Sequence, residues 1–142
     1  MHKSLLSLTL LFCVVTAGCT GTQSDTPTIT PDTVTVSPGD SAFLWVRATD
    51  VAEMRVGSAQ EIPGVELAHD DAMVVPRPDF VEESYPPNWV WDSPRHLVLV
   101  RVPVRVAADA SSGTYHYPVI VRNETRQHET PVTTNVTVVV EP

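Results

Sequence analysis

From Leu97 to Val106 the chain alternates without a break, with Val98, Val100, Val102, Val104 and Val106 on one set of positions and Leu97, Leu99, Arg101, Pro103 and Arg105 on the other. A repeat of two is the signature of an extended strand whose successive side chains point to opposite faces, so the five valines predict a strand lying on a core. Thr114 to Arg122 repeats the pattern with Tyr115, Tyr117, Val119 and Val121, and Val132 to Val140 repeats it with Val132, Thr134, Val136, Val138 and Val140. Thr33 to Val36 and Ala42 to Ala48 make two more strands. They are joined by Ser37-Pro38-Gly39-Asp40, whose Pro and Gly suit a type II turn between antiparallel partners. Glu53 to Val75 leaves room for another two, and no stretch of ten residues carries a helical stripe. The pattern predicts an all-β fold over residues 32–142: a single antiparallel β-sandwich of about seven strands.

One segment departs from that rhythm. Residues 76–94 hold five prolines, which exclude a helix or a central strand and predict a long loop. Its aromatics, Phe80, Tyr85, Trp89 and Trp91, argue for an ordered loop packed on the sandwich. They are the candidate binding surface, because Trp and Tyr dominate recognition hot spots and stack on sugar rings. The competing reading is that Trp89 or Trp91, two apart and so on one side of an extended chain, plugs the core or covers a sheet edge.

The first residues have a different character. Met1-His2-Lys3 precedes an apolar run from Leu5 to Val15, too short to span a bilayer core of about 20 residues and fitting the hydrophobic region of a secretory signal. Thr16-Ala17-Gly18-Cys19 follows, and this resembles the lipobox of bacterial and archaeal lipoproteins, with Thr16 standing where that family prefers Leu. The resemblance implies a signal peptide at 1–18 and a lipid on Cys19 that holds the chain at the extracellular face of the cell membrane. The alternative is cleavage after Val15-Thr16-Ala17 and secretion of a chain beginning at Gly18. Cys13 leaves with the signal, so Cys19 is the only remaining thiol and no internal disulfide forms. Residues 19–31, rich in Thr and Pro, read as a flexible tether with a reach of at most about 40 Å.

Composition narrows the partners. Beyond Lys3 the basic residues are eight arginines against 17 carboxylates, a formal net charge of −9. Such a chain is a poor nucleic-acid binder, and an anionic membrane surface repels it, so membrane association rests on the lipid. The absence of further Lys beside abundant Asp, Glu, Thr and Val resembles the proteins of salt-loving archaea, whose acidic surfaces stay hydrated when salt screens their repulsion.

Val102-Pro103 through Gly113-Thr114-Tyr115 to Val121, about a third of the chain, resembles the immunoglobulin-like or fibronectin-like modules of prokaryotic surface proteins. The resemblance implies an immunoglobulin-like sandwich in which Tyr115 closes a corner by bonding back to the backbone. Two sequons, at Asn123 and Asn135, fall on expected surface positions and are candidate N-glycosylation sites.

Chemistry is sparse. There is no nucleophile motif, no phosphate loop and no ligand spacing among His69, His96, His116 and His128, so the reading is of a non-enzyme without metal or cofactor. Glu66 with His69-Asp70-Asp71 reads as a solvated acidic turn and not a calcium loop, and Arg47, Arg101 and Arg105 as outward cations paired with carboxylates. Two functions remain: an interaction or structural module of the cell envelope contacting another envelope protein, or a surface lipoprotein binding a small solute or glycan through 76–94.

Overall fold

The computed structural model describes residues 26–124 and 130–142. The signal peptide, Cys19 and the tether as far as Asp25 lie outside the described residues, as do Thr125 of the first sequon and His128. Among the described residues nine strands form: β1 (Thr28–Thr30), β2 (Thr33–Val36), β3 (Ser41–Val56), β4 (Val65–Leu67), β5 (Met73–Val75), β6 (Phe80–Glu82), β7 (Asn88–Val106), β8 (Gly113–Arg122) and β9 (Val132–Val140), with one 3-10 turn at His69–Asp71. The five alternating segments are all strands. The space before Val75 holds β4 and β5.

The two long strands organise the rest. The first part of β3, Ser41 to Thr49, pairs antiparallel with Leu97 to Arg105 of β7, and β1, β4 and β5 extend that layer. The last part of β3, Glu53 to Val56, pairs with β8, which continues to β9 and β2, while the start of β7 pairs with β6. Both long strands therefore pass from one layer into the other. The inward side chains of the two layers, Leu44, Val46, Val100 and Val102 from one and Val119, Val121, Val136 and Val138 from the other, meet in a single core. This is the sandwich that the valine alternation requires.

The crossing is made by a kink and a bulge. Asp50 sits at a φ of 57°, a left-handed conformation that Asp tolerates better than most residues. Beyond it the register jumps, so that Val51 opposes Arg95 but Glu53 opposes Val90. The surplus residues of β7 around Trp91 to Pro94 bend the ladder. Buried Asn123 braces the kink by donating from Nδ2 to the Asp50 carbonyl at 2.8 Å. Asp79 braces the bulge: its carboxylate accepts the Asp92 backbone N–H at 2.9 Å and Arg95 at 3.2 Å. The Asp92 N–H, with Arg95 beside it, holds the Asp79 carboxyl below its ordinary range, against partial desolvation.

Four expectations are corrected. The sheet is mixed, because β2 runs parallel to β9 with Val34 opposite Val138. The Ser37–Asp40 turn forms, with Asp40 N–H donating to the Ser37 carbonyl at 3.0 Å and Gly39 at φ 86°, yet it does not close a hairpin. It carries the chain from β2 in one layer to β3 in the other. Among the described residues strand pairing already includes positions ahead of residue 32: Thr28 to Thr30 pairs with β3, and Pro31, lacking an N–H, breaks the ladder where the segment switches layers. Residues 76–94 are not one loop. Phe80 to Glu82 is β6, and Asn88 to Pro94 is the start of β7, in which Trp89 and Val90 pair with β3 on one side and β6 on the other. The prolines avoid the ladder: Pro76 and Pro78 lie between strands, Pro86 and Pro87 precede β7, and Pro94 sits in the bulge.

Candidate functional site

The four aromatics of residues 76–94 split into two pairs. Trp89 and Trp91 are buried in the core, as alternation within β7 dictates, and so contribute no recognition surface. The Trp91 indole N–H donates to the carbonyls of Pro76 and Arg77, both at 3.2 Å, which fixes the proline segment over the bulge. Phe80 and Tyr85 are 59% and 55% exposed. The sequons split likewise. Asn135 is exposed on β9, but Asn123 is buried with its amide nitrogen committed to Asp50, which removes it as a glycan acceptor in the folded chain. Its partner lies 73 residues away, which no local pattern reveals.

Tyr115 takes the corner role: its hydroxyl donates to the Ser111 carbonyl at 2.7 Å. His96 and His116 are both exposed and apart, the first near Asp50 and the second against Thr137 at 3.1 Å. Among the described residues no group of three or more His, Cys, Asp or Glu is placed to hold a metal ion. Glu66 and Asp71 both turn to Arg105, forming a small ion-pair network at one end of β7.

A surface not singled out by the sequence reading lies on the outer face of the β1–β3–β7–β5 layer. Since Leu44, Val46 and Ala48 face the core, Phe43, Trp45 and Arg47 face outward. Register sets Trp45 directly across from Arg101, Phe43 across from Pro103, and Met73 on the other side of Arg101. Phe43 is 51% exposed and Trp45 44%, with Met73, Val75 and Leu97 also exposed on the same face. The Arg101 guanidinium lies 4.5 Å from the Phe43 ring centroid and 5.8 Å from that of Trp45, a double cation–π contact that fixes all three side chains. The central outward positions of β3, β7 and β5 carry Arg47 and Arg101 and no carboxylate. Asp32, beside them, is occupied by the backbone N–H groups of Thr33 and Trp45. An acidic chain thus has a basic, aromatic island. The sequence signal was present in Ala42 to Ala48, where alternation places two large aromatics on the same side as Arg47.

At one end of the sandwich lies a cleft of about 920 Å³ between the end of β3, β4, Val106-Ala107 and Tyr85. His69 and Tyr117 line it. Gly57 follows β3 at φ 100°, the left-handed region that favours glycine, with the His69 ring and Leu67 packed beside it. The His69 Nε2–H donates to the Val56 carbonyl at 2.7 Å, and Tyr85 meets the ring edge-on with centroids 5.9 Å apart. Burial pushes the Tyr117 phenol up to about 12, with the neighbouring Tyr85 and Tyr115 adding to it.

No family model matches the chain, and no curated protein is similar to it in sequence. Solved structures are similar to it. The solution structure of CaCohA2 from Clostridium acetobutylicum matches at 13% identity and a TM-score of 0.52, over 82% of this chain and 92% of that one. A chain of a type I cohesin–dockerin complex from Clostridium thermocellum matches at 14% identity and a TM-score of 0.44, over 82% and 100%. The seventh ScaB type I cohesin from Pseudobacteroides cellulosolvens matches at 10% identity and a TM-score of 0.43, over 78% and 88%. At 13% identity the first likeness is one of fold: this chain is built on the same β-sandwich architecture as CaCohA2.

Proposed function

We propose that the chain is a non-enzymatic interaction module, exported and held by a lipid on Cys19 at the outer face of a prokaryotic membrane, which binds another envelope protein through the Phe43–Trp45–Arg101 face. The observation that supports this is the exposed, contiguous patch of Trp, Phe, Met and Arg. These residue types are enriched at interface centres, and monomers rarely leave such a patch open. Four residues of rise along β3 and three strands across give a centre of roughly 13 Å by 10 Å. That is the size of a hot-spot core, and a full interface of about 800 Å² per partner extends over its rim. Arg47 and Arg101 select a partner whose apolar contact is ringed by carboxylates. Pre-ordering by the cation–π stack lowers the entropy lost on binding.

Cross-linking on intact cells at native salt tests the reading, comparing the unaltered protein with a Phe43→Ala, Trp45→Ala double variant and with Asn135→Ala on the opposite layer. One defined envelope protein is expected with the unaltered chain and Asn135→Ala, and its loss with the double variant at an unchanged thermal midpoint. An identical set of captured proteins for all three overturns it.

A further inference from the structure

We infer that β6 is a second docking site, separate from the Phe43–Trp45–Arg101 face, and that its occupant is an extended, basic segment of a partner protein added along its open edge. The inference begins from an exposure that no other strand among the described residues shares. All three residues of β6 are exposed, Phe80 at 59% and Val81 at 43%, whereas each of the other strands buries at least one position in part. Neighbouring residues of a strand point to opposite faces, so neither face of β6 is covered. Tyr85, 55% exposed, follows shortly after its end. β6 pairs with Asn88 to Val90 of β7 along one edge, and no strand among the described residues pairs with the other. Backbone N–H and C=O groups along such an edge are a template for one more strand.

The edge is held ready. At one end Asn88 Nδ2 donates to Glu82 at 3.0 Å, and at the other Asp79, just before β6, is fixed by the Asp92 N–H and Arg95. An edge ordered in advance loses little entropy when a strand is added. Charge then selects the strand. Asp79, Glu82 and Glu83 lie in or beside β6, so pairing with a second copy through the same edge would crowd like charges into one short ladder. Beside β6 runs a groove of about 950 Å³, lined by Val81 to Tyr85 and by Glu66 to Asp71. Glu83 and Asp70, one from each of these segments, have no side-chain partner among the described residues, and the arginine of the groove, Arg105, is already held by Asp71 and Glu66. Lys or Arg side chains of an added strand meet those carboxylates, while its apolar side chains meet Phe80, Val81 and Tyr85. The Arg47–Arg101 face repels the same segment, so the two sites divide partners by charge.

The test titrates the full chain, uniformly 15N-labelled and at about 0.15 M salt, with three peptides of about ten residues. One alternates Arg and Val, one alternates Glu and Val, and the third is the Arg–Val sequence with its central amides N-methylated. The Arg–Val peptide is expected to bind saturably, to shift the amide signals of Phe80, Val81 and Glu82 and to slow their hydrogen exchange, while the other two do neither. A Glu83→Arg, Asp70→Arg double variant, altered only at exposed side chains without partners, is expected to weaken that binding about tenfold at an unchanged thermal midpoint and to admit the Glu–Val peptide. Phe80→Ala with Tyr85→Ala is expected to weaken it at least about fivefold. No saturable binding of the Arg–Val peptide overturns the inference. So does equal binding of the N-methylated peptide, which is charge attraction without strand pairing, or shifts located on the Trp45 face instead. Failure here leaves the protein-binding reading of that face intact, since Phe43 and Trp45 take no part.

Discussion

Replacing Trp91 by Phe separates the structural role of this residue from a recognition role. The substitution keeps an aromatic body at a wholly buried position and removes the one N–H that reaches the Pro76 and Arg77 carbonyls. Those bonds are only partly buried, so their loss costs about 1–2 kcal/mol. Shrinking indole to phenyl leaves a void of a few tens of Å³, about 1 kcal/mol at roughly 24 cal/mol per Å³. The expected destabilisation is about 2–3 kcal/mol, a large share of the roughly 5–15 kcal/mol that holds a domain folded. At about 4 °C per kcal/mol the thermal midpoint falls by about 8–12 °C. Urea denaturation followed by the fluorescence of the remaining tryptophans measures this, with an unchanged denaturant slope confirming that the native state is still compact. Trp45→Phe, at a half-exposed position without these bonds, is the control and should cost under about 1 kcal/mol. Equal stabilities for the two variants, or a Trp91→Phe midpoint within about 2 °C of the unaltered protein, would refute the assignment of Trp91 as the brace of the bulge.

Other outcomes follow from particular contacts. Asn123→Ala should lose about 1–2 kcal/mol in the same denaturation assay, because a partly buried carbonyl at a left-handed residue loses its donor. In a host that N-glycosylates, peptide mass mapping of the folded protein should find glycan at Asn135 and none at Asn123. The Tyr117 phenol ionises near 12 in the fold against an ordinary 10, so the unfolded chain loses its proton first. Stability is therefore full below pH 10 and falls by on the order of 2 kcal/mol as pH rises through 12, a loss that Tyr117→Phe should remove when midpoints at pH 9 and 11.5 are compared. Intact mass of the membrane fraction should show a diacylglycerol-modified chain beginning at Cys19; an unmodified chain beginning at Gly18 would sink the anchor.

What the sequence made legible depended on which forces act locally. Long strands that face one core announce themselves by alternation, and Val98 to Val106 and Val132 to Val140 were readable for that reason. β1 and β6, three residues each, are too short to show a period, and they exist because β3 and β7 offer edges to pair with. Proline counting failed at residues 88–94 because what matters is the hydrogen-bond position each proline occupies, which depends on a bulge formed between residues some 40 apart in the chain. Trp89 and Trp91 were ambiguous for the same reason: two residues apart fixes a shared side but not which side. Phe43 and Trp45 were legible, since alternation with Leu44 and Val46 already placed them outward. The Tyr117–His69 cleft was not, being assembled from four separate segments.

The parallel pairing of β2 with β9 bears on how the domain carries force. Tension applied between residue 31 and residue 141 pulls the start of one strand against the end of its parallel neighbour. The load runs along the strands and falls on their hydrogen bonds together, including Thr137 N–H to the Asp32 carbonyl and Glu141 N–H to the Val36 carbonyl. An antiparallel pair gripped in the same places would peel open one bond at a time. A domain pulled through those two ends is, by this geometry, a shear clamp that yields only when several bonds break at once.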